Sequence, residues 1–267
     1  MKTVDLMRRD WDDRARKNAL FYILDSRDDW DSEAFFQSGE DDYQAFVEPV
    51  LKRIRFNPAG KVMLELGCGA GRMTQSFAAR FHTVYALDIS SEMLQRGQQL
   101  MPGKSNVVWQ QGNGTDFAAV ANESTDLVFS YLVLQHLPTE RLVLKYVSEI
   151  IRVLRPGGFF LFQFNSLPKP TMNLKGRVAW AIVDTFWSAG FVQSSRWLAS
   201  AFGFDPVAAG RSWRGAPVPV NKMRTLIGKA GGTVLETNGD GTSAVWCYGT
   251  RVASALSHDL TNSNITP

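Results

Sequence analysis

Between positions 61 and 164 the apolar residues follow two alternating spacings. Compact runs at 61–66 (KVMLEL), 82–87 (HTVYAL), 106–111 (NVVWQQ), 125–131 (TDLVFSY) and 159–164 (FFLFQF) predict five strands. The last two have the uninterrupted apolar character of strands covered on both faces. Between the runs the spacing becomes helical: Met73 and Phe77 within 70–80, a segment at 90–101, and a helix over 139–154 that puts Val143, Val147, Ile150, Ile151 and Leu154 on one face. RPGG at 155–158 stops that helix. Strands alternating with helices predict a parallel sheet with right-handed crossovers and a ligand crevice at the carboxyl ends of the strands. The pattern changes after 219, where a helix with Met223, Leu226, Ile227 and Ala230 on one face leads into TVLET, the turn NGDG and SAVWCYGTR. This is an antiparallel hairpin that brings the sheet to seven strands.

The expected fold is therefore α/β and Rossmann-like, with a seven-stranded, mostly parallel sheet and a C-terminal antiparallel hairpin. A core over 61–164 and a closing helix and hairpin over 219–251 carry it, followed by a tail at 252–267. Two segments stand outside the alternation. Residues 1–60 form an N-terminal extension that opens with a helix through WDDRARKNALFYI, placing Trp11, Ala15, Asn18 and Tyr22 near one face. It continues into an acidic stretch, 25–42, with eight Asp or Glu against Arg27, which reads as a solvated loop. Residues 165–218 are an insertion holding four of the chain's eight tryptophans. Its place after the fifth strand suggests a lid over the crevice, and the competing reading is a small core of its own.

Composition narrows the functional class only modestly. With 267 residues, 45% hydrophobic and 21% charged, the chain has the make-up of an ordinary globular enzyme. A net charge of +3 gives little support to a nucleic-acid role. Cys68 and Cys247 cannot form a multi-bridge framework, the N-terminus lacks the apolar segment of a secretory signal, and no run reaches the roughly 18 apolar residues of a membrane span. A cytoplasmic protein without a membrane span or a metal site is expected.

The chemistry is concentrated in VMLELGCGAGRMT, 62–74, where a strand breaks into Gly67, Gly69 and Gly71 before a helix. Such a turn lets a ligand approach the backbone, and Asp88 at the end of the next strand suits the two hydroxyls of a ribose. A dinucleotide fingerprint would place its third glycine at 72, which is Arg72. The G-x-G-x-G spacing thus disfavours a pyrophosphate reader.

With ALDISSEML, TDLVFSYLVLQHLP and VLRPGGFFLFQF following in order, the chain resembles the class I S-adenosylmethionine-dependent methyltransferases, in their small-molecule and quinone-type branch. The resemblance implies S-adenosylmethionine as cofactor, S-adenosylhomocysteine as product and a small-molecule methyl acceptor. It places Glu65, Gly67, Cys68, Gly69 and Gly71 along the methionine end, Asp88 at the ribose and Ile89 and Met93 near the adenine, with Tyr131 also at the cofactor. Where the family carries an acidic residue for the adenine edge this chain has Asn113 and Gly114, with Asp116 as the alternative.

Methyl transfer from a sulfonium needs positioning and water exclusion, and a base only where the acceptor atom holds a proton of high pKa. His136 is the candidate base and Tyr22 a second candidate beside the methyl group. Arg14 or Asn18 falls near the cofactor carboxylate, or the N-terminal helix simply packs on the sheet edge. Gln135, Arg211 and Trp213 are candidates for the acceptor side. Nucleic-acid methylation and non-catalytic cofactor binding are the alternatives, and hydride chemistry on the same plan is a distant third. Against nucleic acid, the fourth strand ends in SYLVLQH, without the Asp/Asn-Pro-Pro-aromatic sequence of base-amino methylation.

Overall fold

The computed structural model describes residues 2–24, 29–167, 173–189, 191–204 and 215–253. An N-terminal helix α1 (Lys2–Ile23) precedes a nearly continuous helical segment: α2 (Ser32–Asp42), a π-helical turn (Tyr43–Val47) and α3 (Glu48–Arg53). The alternation then runs β1 (Val62–Leu66), α4 (Thr74–Ala78), β2 (Thr83–Asp88), α5 (Ser91–Leu100), β3 (Val107–Gln111), β4 (Thr125–Ser130), a 3-10 turn (Leu134–His136), α6 (Glu140–Val153) and β5 (Leu154–Phe164). The insertion contributes α7 (Leu174–Ser188) and α8 (Val192–Ala201), and α9 (Val220–Lys229), β6 (Gly232–Asn238) and β7 (Val245–Arg251) close the chain.

The seven strands lie in the order β3-β2-β1-β4-β5-β7-β6, with β7 antiparallel to both of its neighbours and the first five parallel. The order reverses direction between β1 and β4, where parallel α/β sheets open a crevice at their carboxyl ends. Strand alternation sends Leu64, Leu66, Val128, Phe160 and Phe162 to one face, against α6 and α9. Met63, Leu127, Phe129 and Leu161 go to the other, against α4 and the helical segment at 32–53. Side-chain caps fix the helix starts: the Ser90 hydroxyl accepts from Met93 N at the head of α5, and Thr139 from Leu142 N at the head of α6.

The acidic stretch is where expectation and structure part. Its second half is helix α2, capped by Asp31, and it buries Phe35, Phe36 and Gly39. A Cβ on Gly39 would stand 2.0 Å from the Arg72 carbonyl oxygen, so glycine is what lets the helix approach the loop after β1. The acids toward its end are held by cations from the core: Asp42 with Arg72 at 2.7 Å and Glu40 with Arg80 at 2.6 Å. The Arg80 hydrogen bonds hold Glu40 down at about 2 despite its burial. The residues from 25 to 28 lie outside the described set.

The insertion folds as a helical hairpin with a small cluster of its own, in which Val183 and Ala199 are buried and Leu198 and Phe204 pack on them. Trp180 meets Phe204 edge-on at 5.2 Å.

Candidate functional site

At the carboxyl ends of β1, β2 and β4 lies a cavity of about 340 Å³. This is toward the small end of ligand sites. Its floor is the β1 turn: Glu65, Gly67, Cys68 and Gly69 line it, with Asp88, Ile89 and Met93 from the β2–α5 junction. Tyr131, Gln135 and His136 form the wall after β4, and Tyr22 reaches in from α1. Eleven of the residues singled out above thus share one space.

The turn itself spends its N–H groups. Those of Gly67 and Cys68 both donate to the Leu87 carbonyl, at 2.6 and 3.1 Å, and Gly69 N donates to Asp88 Oδ2 at 2.9 Å. These three amides are spent, and the charged groups facing the cavity from the floor are the carboxylates Glu65 and Asp88 and the guanidinium of Arg72, which is paired with Asp42. Asp88 also accepts from Ser90 N at 2.8 Å, which leaves lone pairs on both oxygens for two further donors. Burial pushes Asp88 up to about 6, opposed by those backbone N–H groups. Burial likewise pushes Glu65 up to about 7, while the Thr74 hydroxyl at 2.6 Å and the charge of Arg72 pull it down. Both carboxylates are therefore poised to gain from a cationic, hydroxyl-bearing ligand.

Gly67 and Gly69 are required by space as well as by their φ of +75° and +54°. A Cβ on Gly67 would lie 2.1 Å from Val133 Cγ2, and one on Gly69 2.8 Å from Ile23 Cδ1. Gly71 does not line the cavity. Its Cβ would point at Trp109 Cη2 (2.8 Å) and Met101 Sδ, so it serves the packing of the turn on β3 and the end of α5.

Asn113 and Gly114 also lie off the cavity. The Asn113 amide is used locally, with Oδ1 accepting from Thr115 N at 2.7 Å and Asp116 N at 3.0 Å, and Nδ2 donating to Asp116 at 2.5 Å. Asp116 is taken up by Lys145 at 2.9 Å. These bonds occupy Asn113 Oδ1 and leave one Nδ2 hydrogen and lone pairs on Asp116. A Cβ on Gly114 would strike Val4 of α1 at 2.4 Å and Ile89 at 2.7 Å, which makes it a contact point between helix and loop. Arg211 and Trp213 lie outside the described residues.

The roof is α1. Asp12 accepts from the Ser90 hydroxyl at 2.6 Å, Arg16 pairs with Glu92 at 2.9 Å and Arg8 donates to the Asn113 carbonyl. These bonds strap the helix across the head of α5, and Met7 and Trp11 face the cavity from it. At Asn18 the backbone leaves the helical region (φ −166°, ψ 90°), and the Asn18 side chain accepts from Phe21 N at 3.2 Å, capping a last short turn. That break directs Tyr22, Ile23 and Leu24 at the floor. Arg14 does not line the cavity among the described residues. It is buried, paired with Asp10 at 3.0 Å, and its guanidinium lies 5.1 Å over Trp11 and 5.5 Å from Tyr22.

Arg72, Met73, Leu132, Val133 and Tyr146 are lining residues that the spacing argument passed over. Leu132 has φ +58°, a strained setting for a non-glycine residue, in the loop that carries Tyr131 to His136. Tyr131 stacks on Trp246 at 5.1 Å and meets Phe46 of the π-helical turn at 5.6 Å, so the helical segment braces this wall. Next to it Gln135 Oε1 is buried without a hydrogen-bond partner among the described residues. Its Nε2 lies 3.4 Å from His136 Nε2, and the His136 ring meets Trp11 edge-on at 6.2 Å.

Residues 64–162 match the family model described as "Methyltransferase domain". They form a methyltransferase domain. Curated relatives include a malonyl-[acyl-carrier protein] O-methyltransferase of Methylococcus capsulatus, 35% identical over 52% of this chain and 49% of that protein. A ubiquinone biosynthesis O-methyltransferase of Pseudomonas fluorescens is 32% identical over 52% of this chain and 59% of its own. The chain thus spans about half the length of the curated relatives it matches. In fold it resembles the magnesium protoporphyrin IX methyltransferase of Synechocystis PCC 6803 solved with bound S-adenosylmethionine, with a TM-score of 0.58 at 15% identity over 93% of this chain and 97% of that one.

Proposed function

We propose that the protein transfers the methyl group of S-adenosylmethionine to a small-molecule acceptor held in this cavity. The observation that carries the reading is the pairing of a glycine turn whose amides are spent with two buried carboxylates facing the same space. Such a floor suits a cationic amino acid and a ribose, and it is wrong for a pyrophosphate. Glu65 and the backbone from Gly67 to Gly69 hold the methionine end, Asp88 accepts from the ribose hydroxyls, and Ile89 and Met93 pack the adenine. When bound, the cofactor supplies a methyl group already activated by its sulfonium charge. The chain's own work is to orient the acceptor and exclude water, which the α1 roof with Trp11 and Tyr22 does.

Tyr131, Gln135 and His136 form the acceptor wall in this reading. The free Gln135 Oε1 accepts a hydrogen bond from the acceptor, and His136 takes the proton of a hydroxyl or amine as the new bond forms. The enclosing aromatic and apolar walls, together with relatives named for malonyl-carrier, ubiquinone-pathway and trans-aconitate methylation, support a small acceptor over a nucleic acid. Both cysteines are free and buried, and no helix among the described residues is long and apolar enough to cross a membrane, which supports a reducing, cytoplasmic location.

Calorimetry with S-adenosylhomocysteine tests the floor: micromolar binding is expected, weakened in Asp88→Ala by about 1.5–3 kcal/mol, with no heat from NAD. Binding of NAD in place of S-adenosylhomocysteine would overturn the assignment. Single-turnover transfer across pH tests the wall. His136→Gln should lose about 100-fold in rate together with the acid limb of the profile. An unchanged profile leaves proximity as the whole mechanism.

A further inference from the structure

Helices α7 and α8 carry an apolar surface that the rest of the described chain does not cover. Of the eleven exposed large apolar side chains among the described residues, seven lie between 174 and 204. Leu174, Val178, Ile182 and Phe186 recur every four residues along α7, 75%, 54%, 39% and 40% exposed, and Trp197 on α8 is 70% exposed. Phe186 meets the 61% exposed Phe191 at 6.2 Å, so the stripe turns the corner between the helices. Exposed apolar side chains gathered in one element mark a contact surface, not ordinary scatter.

Charge says what the contact is. The insertion at 165–218 holds six Lys or Arg against two Asp or Glu, leaving 23 and 24 for the remaining chain, so the whole positive excess of the protein sits in this segment. Lys175 and Arg177 are exposed at the head of the stripe. A groove in a partner protein takes one face of a helix. Here the surface extends over two helices, with Phe191 and Trp197 exposed beside the α7 stripe and the cationic Lys175 and Arg177 at its head. Such a surface suits the boundary between acyl chains and headgroups, where the cationic side chains reach outward and tryptophan sits at the interface. At 15 residues α7 is too short to cross a bilayer, which takes about 20.

We infer that the α7–α8 hairpin docks the protein on the surface of a bilayer containing anionic lipids. On the return from the insertion, Gly215 N donates to the Gln135 carbonyl at 2.7 Å and Ala216 N to the Leu137 carbonyl at 2.8 Å. The inference rests on the hairpin's surface and not on the methyltransferase reading.

The full chain floated with phosphatidylcholine vesicles, with and without added phosphatidylglycerol, tests it. Binding is expected to the anionic vesicles and to fall with added salt. Both Val178→Glu/Trp197→Glu and Lys175→Glu/Arg177→Glu should weaken it at least ~10-fold. S-adenosylhomocysteine binding without vesicles should be unchanged in both variants, which shows them folded. The inference is overturned by no flotation of the wild type, by equal binding to neutral vesicles, or by variants that float as well as the wild type. It is equally overturned if sedimentation velocity shows a dimer that the first variant dissolves while vesicles are ignored, since the stripe then belongs to a second copy of the chain.

Discussion

Helices α6 and α7 are 14 and 15 residues long and both rich in apolar residues, yet they end in opposite surroundings. In α6 the apolar residues share one face, and Leu142, Val143, Tyr146, Val147, Ile150 and Ile151 are all buried against the sheet while Glu140, Lys145 and Glu149 look outward to ion pairs. In α7 they surround the helix, Val183 is buried against α8, and the stripe from Leu174 to Phe186 meets water. An amphipathic pattern names both faces of its own surroundings, so the fold completes it. A pattern apolar on several sides names only the need for cover. One region is therefore the support of the site, and the other is a surface that the described residues leave uncovered.

The sharpest way to break that contrast is to delete one aromatic from each region. Phe129 on β4 is 1% exposed, packs on Phe77 at 5.0 Å and faces Trp246 at 6.3 Å. Phe129→Ala should cost about 3–5 kcal/mol in denaturant unfolding, the transfer of a phenyl ring plus the cavity it leaves. A loss below about 1 kcal/mol would mean that the sheet side of the molecule is looser than its packing indicates.

Next in size is the cavity floor. Gly67→Ala meets a left-handed φ, worth about 1–2 kcal/mol, and the Val133 side chain, worth about 1–3 kcal/mol of overpacking. Loss of stability and of S-adenosylhomocysteine affinity is expected together. Adding Val133→Ala should return the steric share and leave the backbone share. Failure of the second substitution to restore anything would place the whole effect in the backbone.

Much of the sheet was legible in the sequence because each strand is a compact apolar run bounded by turn residues: β1 at 62–66 and β4 at 125–130 lie within a residue of the expected runs. The cavity floor was legible for the same reason, since Gly67, Gly69 and Asp88 are placed by strand ends. Three features were not, and each depends on something remote or competing. Helix α2 hid in the acidic stretch because the arginines that neutralise it lie 30 and 40 residues away, at Arg72 and Arg80. Asn113 kept its position in the motif but lost its amide to an Asx-type turn, a local bond that competes with any ligand. Gly71 shares the glycine spacing, but a Cβ there would point at Trp109 and it does not line the cavity.

A smaller effect separates the two carboxylates of the floor from the surface ion pairs. Asp88 at about 6 and Glu65 at about 7 are raised by burial. Their contribution to stability is therefore fully present below their unfolded values and is lost as the pH rises through about 6 and then about 7. Ligand binding runs the other way, because the ionised forms are the acceptors. S-adenosylhomocysteine affinity should fall as the pH is lowered through about 7 and then about 6, by up to about tenfold per unit where one group titrates. Isothermal titration from pH 5 to pH 8 reads both the affinity and the release of protons on binding at the low end. A flat profile would show that neither carboxylate touches the ligand.

The smallest expected effect completes the contrast with Phe129. Trp197 is larger, and in a core its removal would cost as much, but at 70% exposure it gives up little buried area on truncation. It lies inside α8, where alanine is a better helix former by a few tenths of a kcal/mol, which offsets the contacts that are lost. Trp197→Ala should therefore unfold within about 0.5 kcal/mol of the wild type, as surface substitutions do. Both variants need the same denaturant and the same protein concentration, because any self-association through the stripe would add a concentration-dependent share. A loss for Trp197→Ala that approaches that of Phe129→Ala, and persists on dilution, would mean that the hairpin is packed against the body of the protein in solution. The difference between α6 and α7 would then be one of position, and the apolar stripe would no longer be a surface.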